Sequence, residues 1–180
     1  MHRLIAIRSS KDIPSAYRGK PIGRLLEYHN LSRPLDPCSQ ARLLIGMCMD
    51  SRKSLRIPDN FAFILRAGGA NLRYSEFKVS YAIAIGGVSS IALIGHNRCG
   101  MVNIASRKAP FIRGLVERGG WTRKEAQEHF TNFSTVFEIG SETDFILSEV
   151  KRLRLRYPKV TVAPMLYSVD DNRLYLLREN

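Results

Sequence analysis

Leu43-Leu44-Ile45-Gly46-Met47-Cys48-Met49-Asp50-Ser51-Arg52 is an apolar run that ends in a thiol, a carboxylate and a guanidinium. A second stretch repeats the plan: Ile91-Ala92-Leu93-Ile94-Gly95-His96-Asn97-Arg98-Cys99-Gly100. Short apolar runs bounded by Gly and polar residues fit strands buried in a parallel sheet. In open α/β sheets, ligands collect at the carboxyl ends of the strands. The two runs therefore deliver Cys48, His96 and Cys99, with Asp50 and Arg52, to one edge of one sheet. Two Cys and one His are one ligand short of a closed tetrahedral zinc site. That incompleteness marks a catalytic zinc rather than a structural one.

Outward from these runs, strands and helices alternate. Residues 21–30 predict a short amphipathic helix with Ile22, Leu25 and Leu26 on one face. Nothing nearby in the sequence offers that face a partner. Residues 42–49, 60–65 and 90–95 read as strands. Residues 74–85 carry Phe77, Tyr81, Ala84 and Ile85 at helical spacing and stop at Gly86-Gly87. From Met101 onward a helix is expected, broken near Pro110. Cys99, just before Gly100, is placed at the start of that helix, where its dipole would favour a thiolate. Thr122-Arg123-Lys124-Glu125 and Ser141-Glu142-Thr143-Asp144 have capping spacings that open helices over 122–133 and 141–157. Residues 160–169 and 173–178 flank a turn at Asp170-Asp171-Asn172, a hairpin signal. The alternation predicts a single α/β domain over 1–180, a mostly parallel sheet flanked by helices with a C-terminal edge hairpin.

The 180 residues carry a net charge of +12 and 44% hydrophobic residues. No apolar run reaches the length of a membrane span. Residues 1–10 hold only a short apolar stretch, which argues against a secretory signal. Residues 1–34 are richer in Arg and Lys than in acids, a composition compatible with organelle targeting. The three cysteines, without a secretion signal, point to a reducing compartment, the cytoplasm. Cys38 lies in a Pro-flanked turn and reads as an unliganded thiol. The basic cluster Lys151-Arg152-Leu153-Arg154-Leu155-Arg156 reads as a helix end complementing its dipole rather than as a nucleic-acid patch. His2, His29 and His129 have no neighbouring Cys and read as ordinary histidines.

Cys48-x-Asp50-x-Arg52 after one strand and His96-x-x-Cys99 after another resemble the beta-class carbonic anhydrases. The resemblance extends through the turn Arg66-Ala67-Gly68-Gly69-Ala70 to Gly100-Met101. It departs at Leu65-Arg66, where the family usually has a basic residue and Asn. The resemblance implies one Zn2+ per chain, held by Cys48, His96 and Cys99. It also implies an Asp50–Arg52 dyad beside the metal. Asp50 would either orient a zinc-bound hydroxide or swing in as the fourth ligand. Gly68 and Gly69 would bring backbone close to the substrate pocket. The implied reaction is reversible hydration of carbon dioxide to bicarbonate and a proton. Hydrolysis of carbonyl sulfide or carbon disulfide on the same fold is the alternative. A non-catalytic, zinc-stabilised nucleic-acid-binding protein is a third reading, which a fourth Cys or His ligand would favour. The N-terminal arm, residues 1–34, is expected to embrace a second subunit in a homodimer or an even multiple of it.

Overall fold

The computed structural model describes residues 3–179. In chain order the strands are β1 (Leu4–Ala6), β2 (Leu43–Cys48), β3 (Ala62–Ala67), β4 (Ser90–His96), β5 (Thr161–Ser168) and β6 (Arg173–Leu177). The helices are α1 (Pro21–Leu31), α2 (Glu76–Ala84), α3 (Lys108–Gly119), α4 (Arg123–Phe137) and α5 (Glu142–Arg156). The strands form one six-stranded sheet in the order β1-β6-β5-β4-β2-β3. β3, β2, β4 and β5 are parallel, while β6 and β1 add on antiparallel.

β2 and β4 lie side by side in the middle of the sheet, and every residue of both is buried. Burial on both faces is why they read as unbroken apolar runs rather than as alternating ones. Their register aligns Met47 with Ile94, so Cys48 and His96 leave the sheet at the same end. Gly46 leaves room on the sheet for the Leu72 and Leu93 side chains. A methyl group there would lie 2.7 Å from Leu72 Cδ1.

One face of the sheet packs Ile22, Leu25 and Leu26 of α1 against Ile45, Met47, Ile94 and Met165. All three α1 residues are fully buried within the chain. The partner that the sequence seemed to lack is therefore the helix's own sheet. The other face packs α2 and α5, through Val79, Ala82, Ile146, Val150 and Leu153.

Three further expectations change. The stripe Phe77, Tyr81 and Ile85 faces outward: Phe77 is 81% and Ile85 69% exposed, while Val79 and Ala82 form the core side of α2. Periodicity found the helix but chose the wrong face, because both faces of α2 carry apolar residues. Pro110 does not break a helix. It sits in the first turn of α3, where a missing N–H costs nothing. The C-terminal hairpin is present, but β1 pairs outside it, so β6 is not the edge. A three-residue strand is too short for a period-2 signal.

The predicted caps hold. Thr122 and Glu125 form a reciprocal capping box on α4, and the Ser141 hydroxyl accepts from the Asp144 N–H on α5. The three arginines of the basic cluster of α5 are paired with carboxylates of the same chain. Arg152 pairs with Glu149 and Glu76, Arg154 with Glu179, and Arg156 with Glu76. Among the described residues no helix is long and apolar enough to cross a membrane.

Candidate metal centre

Cys48 is the last residue of β2, and His96 is the last residue of β4. Cys99 follows three residues later, after a turn in which Arg98 takes a left-handed φ of 57°. That turn reverses the chain and points Cys99 back at Cys48. No helix starts at Cys99: a turn runs to Asn103, and the next element is a short 3-10 segment from Ile104 to Arg107. The local stabilisation of a thiolate comes from nearby backbone instead of a helix dipole. The Met101 backbone favours the Cys99 thiolate and the Asp50 backbone that of Cys48.

The two sulfurs are 3.9 Å apart and buried. The ligand atoms of Cys48, His96 and Cys99 all lie within 4.8 Å of one another. His96 Nδ1 is engaged with the Asn97 carbonyl oxygen at 3.0 Å, which leaves Nε2 to face the sulfurs. That Nε2 is buried and has no hydrogen-bond partner among the described residues. An orphaned imidazole nitrogen between two thiols is costly unless something occupies the space between them. Tetrahedral zinc with Zn–S bonds of about 2.3 Å would hold two sulfurs about 3.8 Å apart. The donor set and its spacing thus fit a metal ion of the zinc type. Without one, the thiols share a proton: the hydrogen bond between them pulls Cys48 below the ordinary thiol range and pushes Cys99 above it.

Asp50 stands outside this group, with Oδ2 3.8 Å from His96 Nε2. Arg52 holds both of its oxygens, Nε to Oδ1 at 3.0 Å and Nη2 to Oδ2 at 2.7 Å. The backbone N–H of Arg52 adds a third bond to Oδ1 at 2.9 Å. These bonds from Arg52 hold the carboxyl well below the usual carboxylate range. The spacing i, i+2 did not guarantee this pairing, yet it forms in full.

Gly68 and Gly69 are buried in a 3-10 turn just after β3. Gly69 has φ +63°, and a Cβ there would lie 2.9 Å from Ile139. Gly68 opens onto a cavity of about 500 Å³, together with Met49, Gly100, Met101, Phe130, Phe133 and Phe137. Gly69 packs behind that wall, against Ile139 and Met101. The cavity joins the residues flanking both cysteines to the α3–α4 helix pair, and its lining is mostly apolar.

Cys38 is half-buried and stands apart from the group. His29 is satisfied on both ring nitrogens, by the Asn172 carbonyl oxygen and the Arg56 N–H. His129 is half-buried among Phe111, Trp121 and Phe133. His2 lies outside the described residues. Sequence reasoning missed Glu142, whose Oε1 accepts from the Cys99 N–H at 3.1 Å, and the buried Lys53. An acid in the first turn of α5 was a visible signal for Glu142. Lys53 gave none, since a lysine beside an arginine reads as surface.

The solved structure of a carbonic anhydrase from Glaciozyma antarctica superposes on this chain with a TM-score of 0.59 at 21% identity, covering 92% of this chain and 99% of that one. A carbonic anhydrase from Streptococcus mutans gives 0.60 at 18% identity, covering 92% and 100%. The apo form of a carbon disulfide hydrolase gives 0.55 at 20% identity, covering 93% of each chain. A beta-carbonic anhydrase from Trichomonas vaginalis gives 0.60 at 16% identity, covering 85% and 92%. The chain has the beta-carbonic anhydrase fold. No protein-family model and no curated protein sequence matches it. The likeness therefore rests on architecture, and the site residues stand on their own geometry.

Proposed function

We propose that the chain is a zinc-dependent carbonic anhydrase, interconverting carbon dioxide and bicarbonate. The observation that carries this is the convergence of Cys48, His96 and Cys99 within 4.8 Å, with a clamped Asp50 beside them. Cys48 and Cys99, as thiolates, and His96 through Nε2 hold one metal ion. Bound Zn2+ supplies Lewis acidity, lowering the pKa of a coordinated water from ~15.7 toward ~7. Asp50 accepts a hydrogen bond from the attacking water and orients it, and Arg52 fixes where Asp50 points. The apolar wall of Met49, Gly68 and Met101 presents uncharged carbon dioxide to that water. Bicarbonate and a proton are the products.

The same apolar cavity, roomier than carbon dioxide needs, supports a second reading as a hydrolase of carbonyl sulfide or carbon disulfide; one structural neighbour is named a carbon disulfide hydrolase. Stopped-flow hydration of carbon dioxide, run beside an assay for hydrogen sulfide release from carbon disulfide, separates the two. A higher kcat/KM for carbon disulfide would make the second reading the right one. No nucleic-acid role is proposed, because three arginines of the basic helix end are already paired with carboxylates.

A homodimer is also part of this proposal, through a surface other than α1. Among the described residues β3 is a sheet edge with no outer partner, carrying exposed Phe63 and Ile64, and Phe77, Tyr81 and Ile85 lie exposed beside it. An apolar edge of this kind favours a second copy over water. A reducing compartment, the cytoplasm, suits the site, because thiols 3.9 Å apart must stay reduced to hold a metal.

A further inference from the structure

The cavity beside the metal centre has two ends of different make. At one end stand Met49, next in the chain to Cys48, and Met101. Met101 packs against the cluster of Cys48, Cys99 and Ile139, so one side chain borders both the thiols and the cavity. At the other end α4 contributes Phe130, Phe133 and Phe137, and α3 contributes Phe111. Phe111 and Phe130 meet edge to face, their ring centroids 5.2 Å apart. The volume of about 500 Å³ lies in the range that holds a drug-sized molecule, roughly 300–1,000 Å³. A triatomic substrate fills only the thiol end and leaves the four rings without contact. Met49 is 64% and Phe133 48% exposed, apolar surface that gains from being covered. Among the described residues no carboxylate lines the cavity, and its only arginine or lysine, Arg107, is exposed to water. The lining therefore suits an uncharged molecule with an aromatic tail.

We propose that the site hydrolyses organic isothiocyanates, R–N=C=S, whose aromatic R group lies among the rings of α3 and α4. The inference rests on the metal centre proposed above and names a larger substrate class for it. An isothiocyanate has the same electron-poor carbon between two cumulated double bonds as carbon dioxide and carbon disulfide. Unlike them, it carries a tail. The water oriented by Asp50 forms a bond from its oxygen to that carbon. The electron pair of the C=N π bond moves to nitrogen, which takes one proton of the water. The other proton goes to sulfur, giving the monothiocarbamate R–NH–CO–SH. Its C–N bond then breaks with the pair kept by nitrogen, which takes the S–H proton. The products are the amine R–NH2 and carbonyl sulfide. One water is consumed, nothing is oxidised or reduced, and no further reactant is needed.

Two measurements on the full chain test this. In the first, metal-free protein with methyl-labelled methionine is titrated by NMR with N-benzylformamide, an unreactive mimic, and with N-methylformamide, which lacks the ring. The Met49 and Met101 methyl signals should shift with the benzyl compound alone. Those of Met47 and Met165, in the sheet core under α1, should stay. No shift at Met49 and Met101, or equal shifts with both compounds, overturns the inference. So does a shift of these methyls that follows protein concentration, since a second copy then fills the cavity. In the second, zinc-loaded protein is given benzyl or methyl isothiocyanate and the amine is quantified. Addition of the reagent to a thiol releases no amine. Benzylamine should form over many turnovers, with kcat/KM at least about tenfold above that for the methyl compound. Phe133→Ala should lose most of that preference. Should it fail to fold, Phe133→Leu is read against the same outcomes. A chain that hydrates carbon dioxide but releases no benzylamine, or a preference unchanged in the variant, sinks this inference alone. A chain that acts on neither carbon dioxide nor carbon disulfide sinks the proposed function and this inference with it.

Discussion

The Arg52 guanidinium donates to the main-chain carbonyl oxygen of Arg98 at 2.8 Å. The same nitrogen, Nη2, also donates to Asp50 Oδ2 at 2.7 Å. One side chain thus ties the loop after β2 to the turn after β4, and does so directly beside Cys99. Arg98 is in turn paired with Asp170, on the turn between β5 and β6. The site's shape is set by loops that clamp one another, built on two strands buried along their whole length.

Arg52→Ala should lower carbon dioxide hydration about 10- to 100-fold, the usual effect of losing a group that orients a metal site. The metal should stay, because Arg52 contacts none of the three candidate ligands. Zinc content and hydration rate measured on the same preparation check this. An unchanged rate would remove the Asp50–Arg52 pair from the mechanism.

Cys99→Ser should lose most of its bound zinc, and Cys38→Ser should lose none. The first sulfur sits 3.9 Å from Cys48, and the second is not part of the group. Mass-spectrometric metal analysis of both variants decides the assignment. Zinc loss in Cys38→Ser would mean a closed site with a structural metal.

His29 ties the Asp50-bearing loop to the domain by accepting from the Arg56 N–H at 3.1 Å, while its Nε2 donates to the Asn172 carbonyl oxygen at 2.9 Å. Burial holds its pKa below the ordinary histidine value. A depressed value means the unfolded chain takes up the proton first. This part of the stability is therefore complete above about pH 6.5 and declines as pH falls below it. Protonating Nδ1 would also remove the acceptor for Arg56. The thermal midpoint of the wild type should fall between about pH 7 and 5 more steeply than that of His29→Gln. Parallel slopes in differential scanning fluorimetry would contradict this.

The strand pair that carries the site was legible because β2 and β4 are buried on both faces, which leaves an unbroken apolar signature. Cys48, His96 and Cys99 were legible because each stands at a strand end or one turn beyond it. What stayed hidden depended on contacts distant in sequence. α1 reaches strands β4 and β6, and no local pattern names them as partners. The outward stripe of α2 and its inward residues are both apolar, so periodicity could not orient the helix. The burial of Lys53 and the bond from Cys99 to Glu142, 43 residues away, are products of loop packing.

The central claim is that a metal held by Cys48, His96 and Cys99 hydrates carbon dioxide. The most direct test is to titrate Zn2+ into metal-free protein and record the stopped-flow hydration rate at each addition. The account predicts a rate that rises linearly and breaks sharply at one zinc per chain. Zinc bound at that stoichiometry with a rate no different from buffer would contradict it.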